Sequence, residues 1–436
     1  LGCDIPASSK DSKRVGVESK TFCMHPFSGL ATRSDGGVLV CCRSHPIGWI
    51  QKESLEDIWN NKNMRRIREQ VLNNERPSEC SPCFGLEDQG VESLRQRHIK
   101  GVIPEARINL YPDAVGKLRD DYTMPFEVPT MEIKLNNLCN LKCRMCHPMD
   151  STSWNDWNEV EDFYKEEGNF MVEAIRDLNL MKKPYLDAFD NNPNWWDSFE
   201  KIVPYFRRAE FAGGEPLMDP QHYRILDMFA PYGENIEIKY ATNLSVLGIK
   251  GGRNIWDYWP KFKSVALNVS IDGLGNSYEH IRGNASWDEL VKNIKTVQTI
   301  PNISRIVGAV CVQAGNIMIL DKMIEYFLDD IGIVFYGNRV EYPNLLSAQV
   351  IPQELKQEAI RRLEAIKPRV KDFRLVKEKP ILLDITLGQI QDNINYLNSK
   401  DQSHLWPKFL EFNRRLDLRR NQQSVSSVVP EFLDYV

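Results

Sequence analysis

The stretch Cys139-Asn140-Leu141-Lys142-Cys143-Arg144-Met145-Cys146 sets three cysteines in one tight loop, directly after an apolar stretch. Such a loop can hold a cubane iron–sulfur cluster by three corners. Four irons take four ligands, so three thiolates leave one iron open to a small molecule, whereas a structural site is closed by a fourth protein ligand. The missing fourth cysteine is the informative part. A zinc knuckle is the other reading of the loop taken alone.

Working outward, a series of short apolar runs follows the loop, each ending on polar residues. Ala209-Glu210-Phe211-Ala212 reads as a buried strand that runs into Gly213-Gly214-Glu215-Pro216. The glycines let the backbone approach a ligand closely, and the Glu215 carboxylate can accept from an ammonium group. Ile236 to Asn243 alternates apolar and polar residues, and Ser264 to Gly273 does the same, ending with Ser270 and Asp272 two apart on one face. Ile306 to Gln313 gives a further strand, and Ile333-Val334-Phe335-Tyr336 with Val340-Glu341-Tyr342 the last. Helical patterns lie between them, as in Asp288 to Val297 and Ile317 to Leu328. Strands alternating with helices imply βαβ units on a parallel sheet, with ligand groups at the C-terminal strand ends.

This set of motifs resembles the radical S-adenosylmethionine (SAM) enzymes. The resemblance implies that Cys139, Cys143 and Cys146 hold a 4Fe–4S cluster whose open iron is chelated by SAM. In that family the reduced cluster cleaves SAM to a 5′-deoxyadenosyl radical, which takes hydrogen from an unactivated C–H bond, and the protein holds and shields the cofactor. It further implies that Met145 lies beside the adenine and that Gly213, Gly214 and Glu215 meet the methionine amino group. Asn243 would meet the carboxylate or ribose, Ser270 and Asp272 the ribose diol, Arg282 the carboxylate, and Val312 the adenine pocket. A solvated charge is the plain alternative for Arg282, and Cys311 reads as a buried apolar residue. The implied fold is α/β, a partial (β/α)6 TIM-type barrel over residues 125–350, left open for substrate or another domain.

Upstream of the core come Cys23, then Ser34-Asp35-Gly36-Gly37-Val38-Leu39-Val40-Cys41-Cys42, and later Cys80-Ser81-Pro82-Cys83. A glycine turn flanked by apolar residues predicts a hairpin that brings Cys23 near Cys41, and a capped helix from Ser54 folds the chain back. Cys23, Cys41, Cys80 and Cys83 then close one coordination sphere, with Cys42 as the alternative to Cys41. This arrangement is similar to the auxiliary-cluster twitch module, a short relative of the SPASM module, placed here over residues 18–105, before the core instead of after it. Zinc suits four cysteines equally well, so the second site is read as a 4Fe–4S cluster or zinc. His25 and His45 read as ordinary histidines.

The remaining composition bounds the partners. With 436 residues, 42% hydrophobic content and a net charge of −5, the chain is long enough for several domains and carries no basic surplus for nucleic acid. No apolar run is long enough to cross a membrane. Leu1-Gly2-Cys3 has no apolar stretch before it, so a lipoprotein cleavage site is not expected. Cysteines in short-spaced groups suggest metal ligation in a reducing cytoplasm. The acidic, aromatic stretch 150–204, with Trp154, Trp157, Tyr164 and Trp195-Trp196, is a packing segment or a lid inserted in the barrel. Residues 351–436 read as a helical extension, as in Gln353 to Ile366 and His404 to Arg415, that seals the barrel's bottom or edge. The expected activity is hydrogen abstraction from a small molecule or peptide for a net oxidation or cross-link, fed by a reductant such as flavodoxin or ferredoxin. The alternatives are a radical SAM enzyme with a zinc recognition module and a non-catalytic metal-binding scaffold.

Overall fold

The computed structural model describes residues 20–88, 90, 92–99 and 115–436. Leu1-Gly2-Cys3 and the ends of the 18–105 stretch lie outside the described residues. The chain divides into two compact units. One comprises residues up to Thr32, Gly37–Met131 and Asn192–Tyr205, and the other Arg33–Gly36, Glu132–Asn191 and Phe206–Val436. The fold is α/β with many helices, its strands antiparallel in the first unit and parallel in the second.

In the first unit, β1 (Gly29–Thr32) and β2 (Gly37–Leu39) form the expected hairpin, and β3 (Pro46–Trp49) adds antiparallel to β2. Gly36 closes the turn with φ +92° and donates its amide to Arg33 O at 2.9 Å. The helical segment after Ser54 is two helices. Leu55–Trp59 is capped by the Ser54 hydroxyl, and Lys62–Leu72 by Asn61. Arg68 on the second of these is buried, donates to Pro26 O and Tyr122 O, and lies 4.5 Å over the Trp59 ring. Helix Pro193–Ile202 also belongs to this unit and buries Trp195, Trp196 and Phe199.

The last two residues of β4 (Thr130–Ile133) belong to the second unit, where the sheet order continues β5 (Arg208–Phe211), β6 (Glu237–Thr242), β7 (Ser264–Ser270), β8 (Ile303–Val312), β9 (Val334–Arg339). Pairing is parallel from β5 to β9, and among the described residues β4 and β9 are not paired with each other. The sheet is therefore open. Alternation gives one packed face: Ile238, Tyr240, Val265, Leu267 and Val269 are buried, while Lys239, Ala241, Ala266 and Asn268 face the other way and are partly exposed. Each fully buried Val, Leu or Ile of that face contributes about 2 kcal/mol. Beneath it the buried ring of His222 meets the Tyr240 hydroxyl at 2.8 Å.

Three element boundaries depart from expectation. The last strand does not include Val340-Glu341-Tyr342; it runs through Gly337 and Asn338 instead, because Gly337 N finds a partner in Gln389 Oε1 and the ladder ends with Val340 N on Val312 O. Ile317 to Leu328 is broken into a tight turn, a helix at Leu320–Glu325 and a wider π turn at Tyr326–Ile331. The C-terminal helix Trp406–Arg420 extends five residues beyond its expected end at Arg415.

Candidate functional site

The three-cysteine loop follows β4 without regular secondary structure of its own. Its backbone is held mainly by neighbours in the second unit. Lys142 N donates to Gly283 O at 2.9 Å and Arg144 N to Ile281 O at 2.8 Å. The Ser151 and Ser153 hydroxyls donate to Leu141 O and Cys139 O, both at 2.7 Å, and the Trp154 indole N–H to Cys143 O at 3.0 Å. Burial pushes the Cys139 thiol up to about 12 and raises Cys143 and Cys146 as well. Thiols so desolvated become thiolates only against a cationic partner, which is what a cluster supplies.

Polar groups from a later strand end and a later helix reach these sulfurs. Asn243 Nδ2 lies 3.7 Å from Cys139 Sγ, and an Arg282 guanidinium nitrogen 3.6 Å from Cys143 Sγ. Arg282 is buried rather than solvated, and pairs with Asp272 at 2.6 Å and 2.7 Å. Burial opposes its charge, but Asp272 beside it holds its pKa well above the ordinary arginine value. The other Asp272 oxygen accepts from Cys311 N at 2.6 Å. Asp272 thus ties β7, β8 and the helix Asn276–Arg282 together.

Glu215 is engaged in the same way. Oε1 accepts from the Thr242 hydroxyl at 2.7 Å and from Leu217 N at 3.1 Å, and Oε2 accepts from Asn243 N at 2.6 Å. Burial raises its pKa to about 7 against these donors. The close approach that the glycines allow is to the chain itself: a Cβ on Gly214 would stand 2.2 Å from Leu138 O, and one on Gly213, at φ +133°, 3.0 Å from Asn136 O. The Gly213-Gly214-Glu215 turn therefore packs on the residues that lead into Cys139. Ser270 and Met145 are partly exposed, whereas Val312 is fully buried on the strand face opposite Cys311.

In the first unit, Cys23, Cys41, Cys80 and Cys83 line one small pocket with Thr21, Val71, Phe84 and Arg95. Cys42 is exposed and is not among its lining residues. The Ser44 hydroxyl accepts from Val40 N and Cys41 N, shaping the turn behind Cys41, and His45 N donates to Glu79 O at 2.9 Å, joining this turn to the Cys80 segment. Burial pushes Cys23, Cys41 and Cys80 up to about 12, with neighbouring thiols adding to the shift. Arg95, paired with Glu87 at 2.5 Å, donates to Phe22 O at 2.8 Å and brings a guanidinium to the same pocket. His25 and His98 pair with each other at 2.8 Å. Among the described residues no three His, Cys, Asp or Glu side chains converge on a single-ion position.

Residues 23–84 match the family model SPASM, an iron–sulfur cluster-binding domain. The match bears out the resemblance to a SPASM-type iron–sulfur module drawn from the upstream cysteines. No curated protein matches the sequence. Two solved structures of Streptococcus suis SuiB are similar. The form bound to S-adenosylmethionine is 13% identical with a TM-score of 0.33, over 70% of this chain and 63% of SuiB. The form bound to the precursor peptide SuiA is 14% identical with a TM-score of 0.33, over 73% and 63%. The chain thus spans less than two thirds of SuiB's length, and a likeness at that level transfers no residue role. Among the described residues no helix is long and apolar enough to cross a membrane.

From the C-terminal helix, Asp417 and Arg420 reach the cysteine loop region. Sequence pattern does not single out Arg144 inside the loop. A charged residue between two of the three cysteines, with an acid and a base three apart in a distant helix, is the available signal.

Proposed function

We propose that the chain is a radical SAM enzyme with two 4Fe–4S clusters that abstracts hydrogen from a small-molecule or peptide substrate for a net oxidation or cross-link. The observation that supports this most is the convergence of Asn243 and Arg282 on the thiols of an otherwise three-cysteine loop. When bound, the open cluster and SAM supply an electron to the sulfonium and release the hydrogen-abstracting 5′-deoxyadenosyl radical.

The chain's own residues then have these tasks. Cys139, Cys143 and Cys146 hold three irons. Glu215, engaged by Thr242 and the Asn243 amide, fixes the strand end that presents Asn243, and Asp272 fixes Arg282. Ser270 remains available to the ribose, Met145 to the adenine, and the backbone of Gly213 and Gly214 to the methionine amino group. Cys23, Cys41, Cys80 and Cys83 hold the auxiliary cluster, a route for the second electron of an oxidation. The 125–350 region acts as a partial barrel, the 18–105 region as the auxiliary module, and a flavodoxin or ferredoxin as reductant.

Anaerobic reconstitution with iron and sulfide, then reduction with SAM, tests the reading. The expected results are about eight irons per chain and release of 5′-deoxyadenosine that disappears in Cys143→Ala. About four irons with one zinc would replace the auxiliary cluster by a zinc module, and no 5′-deoxyadenosine under any strong reductant would leave a scaffold.

A further inference from the structure

We infer that Asp417, on the C-terminal helix Trp406–Arg420, is a positioning residue for the three-cysteine loop, which keeps its cluster only while that helix clamps it. The inference rests on the reading that the loop binds a cluster.

The loop is irregular, and Arg144 sits between two of its three thiols. Its side chain is buried, with Nε donating to His280 O at 2.9 Å and two other nitrogens to Asn413 Oδ1 and Gln422 Oε1, each at 2.9 Å. The same guanidinium pairs with the Asp417 carboxylate. That carboxylate also meets His280 Nε2 at 2.9 Å and accepts from Val425 N at 3.1 Å. One acid therefore joins the cysteine loop, the helix that carries Arg282 and the C-terminal chain.

A second grip lies one turn further on. Arg420 Nε donates to Asp156 Oδ2 at 2.6 Å and another nitrogen to Lys142 O at 2.8 Å, with its guanidinium 4.8 Å over the Trp154 ring. Trp154 in turn holds Cys143 O. Lys142, Cys143 and Arg144 are thus all restrained by one helix, directly or through Trp154. Because these ions are buried, deleting one partner leaves the other uncompensated, and loop and helix part. Outer partners of this kind change metal affinity by about 10–100-fold when removed.

The test uses the full, anaerobically reconstituted chain as wild type, Asp417→Asn, Asp417→Glu and the exposed control Arg414→Ala. The readouts are the rate at which a ferrous chelator strips iron, the EPR of each reduced cluster, and thermal unfolding of the iron-free chain. Expected is stripping of the loop cluster about 10–100-fold faster in Asp417→Asn, with the auxiliary signal and unfolding unchanged, partial recovery in Asp417→Glu, and no change in Arg414→Ala. Loop-cluster stripping at the wild-type rate in Asp417→Asn overturns the clamp while leaving the cluster reading intact. Loss of both clusters together with a lowered unfolding temperature also overturns it, making Asp417 a support of the fold alone. If wild type and Cys143→Ala take up equal iron, the underlying reading falls and the clamp with it.

Discussion

The chain contains two cysteine sites built on opposite plans. In the first unit four thiols line one pocket, and all four come from the stretch between Cys23 and Cys83. In the second unit three thiols ride an irregular loop, and the polar groups that reach them come from residues more than 100 positions away in sequence. The difference teaches what each site is built to do. On the proposed reading, four cysteines would fill the protein ligands of one site and leave no room for chemistry at the metal, whereas three, with a strand-end amide and a buried guanidinium beside them, would leave a corner open.

The largest expected effect separates the two sites by substitution. Cys143→Ala should lose about four irons per chain and all 5′-deoxyadenosine release. Cys80→Ala should lose a similar amount of iron and retain SAM cleavage without substrate. Iron and nucleoside assays on both variants check this, and loss of cleavage in both would merge the sites functionally.

Gly214→Ala comes next, because its Cβ would stand 2.2 Å from Leu138 O, a backbone atom that cannot swing away. The cost is about 3 kcal/mol, and displacement of the residues before Cys139 should weaken the loop cluster while the four-cysteine pocket keeps its iron. Denaturant unfolding and iron counts read the two effects separately.

A smaller effect acts on the second unit through pH. Burial lowers His222 to about 3 from its ordinary 6.5, so the folded chain refuses a proton that the unfolded chain accepts. Its contribution is complete above pH 6.5 and is lost as pH falls from 6.5 toward 3. At pH 5 the loss is about 2 kcal/mol, and His222→Gln should flatten this limb in urea titrations of the iron-free chain. The smallest effect is at exposed Cys42, where Cys42→Ser should change stability by less than about 0.5 kcal/mol and leave the auxiliary iron in place, in contrast to its neighbour, where Cys41→Ser should remove that iron.

The parts legible in the sequence are those carried by local pattern. Alternation marked β6 and β7, short apolar runs marked β5 and β8, and the Ser34 to Gly37 turn with its flanking apolar residues marked the hairpin that brings Cys41 into the pocket. Charged partners were not legible, because their meaning depends on residues far along the chain. Glu215 reads as a carboxylate awaiting an ammonium group, yet Thr242 and the Asn243 amide already engage it. Arg282 reads equally as a solvated charge, and only the fold shows Asp272 beside it. The Asp417–Arg144 pair spans most of the second unit's length, so no window of sequence contains both.

The measurement that bears most directly on the contrast is EPR of the reduced, reconstituted protein with and without SAM. The expected result is two cluster signals, of which one shifts on adding SAM and is absent in Cys143→Ala, while the other stays unmoved and is absent in Cys80→Ala. A SAM-induced shift in the signal that Cys80→Ala removes, or no shift in either, would contradict the assignment of an open site to the three-cysteine loop and a closed one to the four.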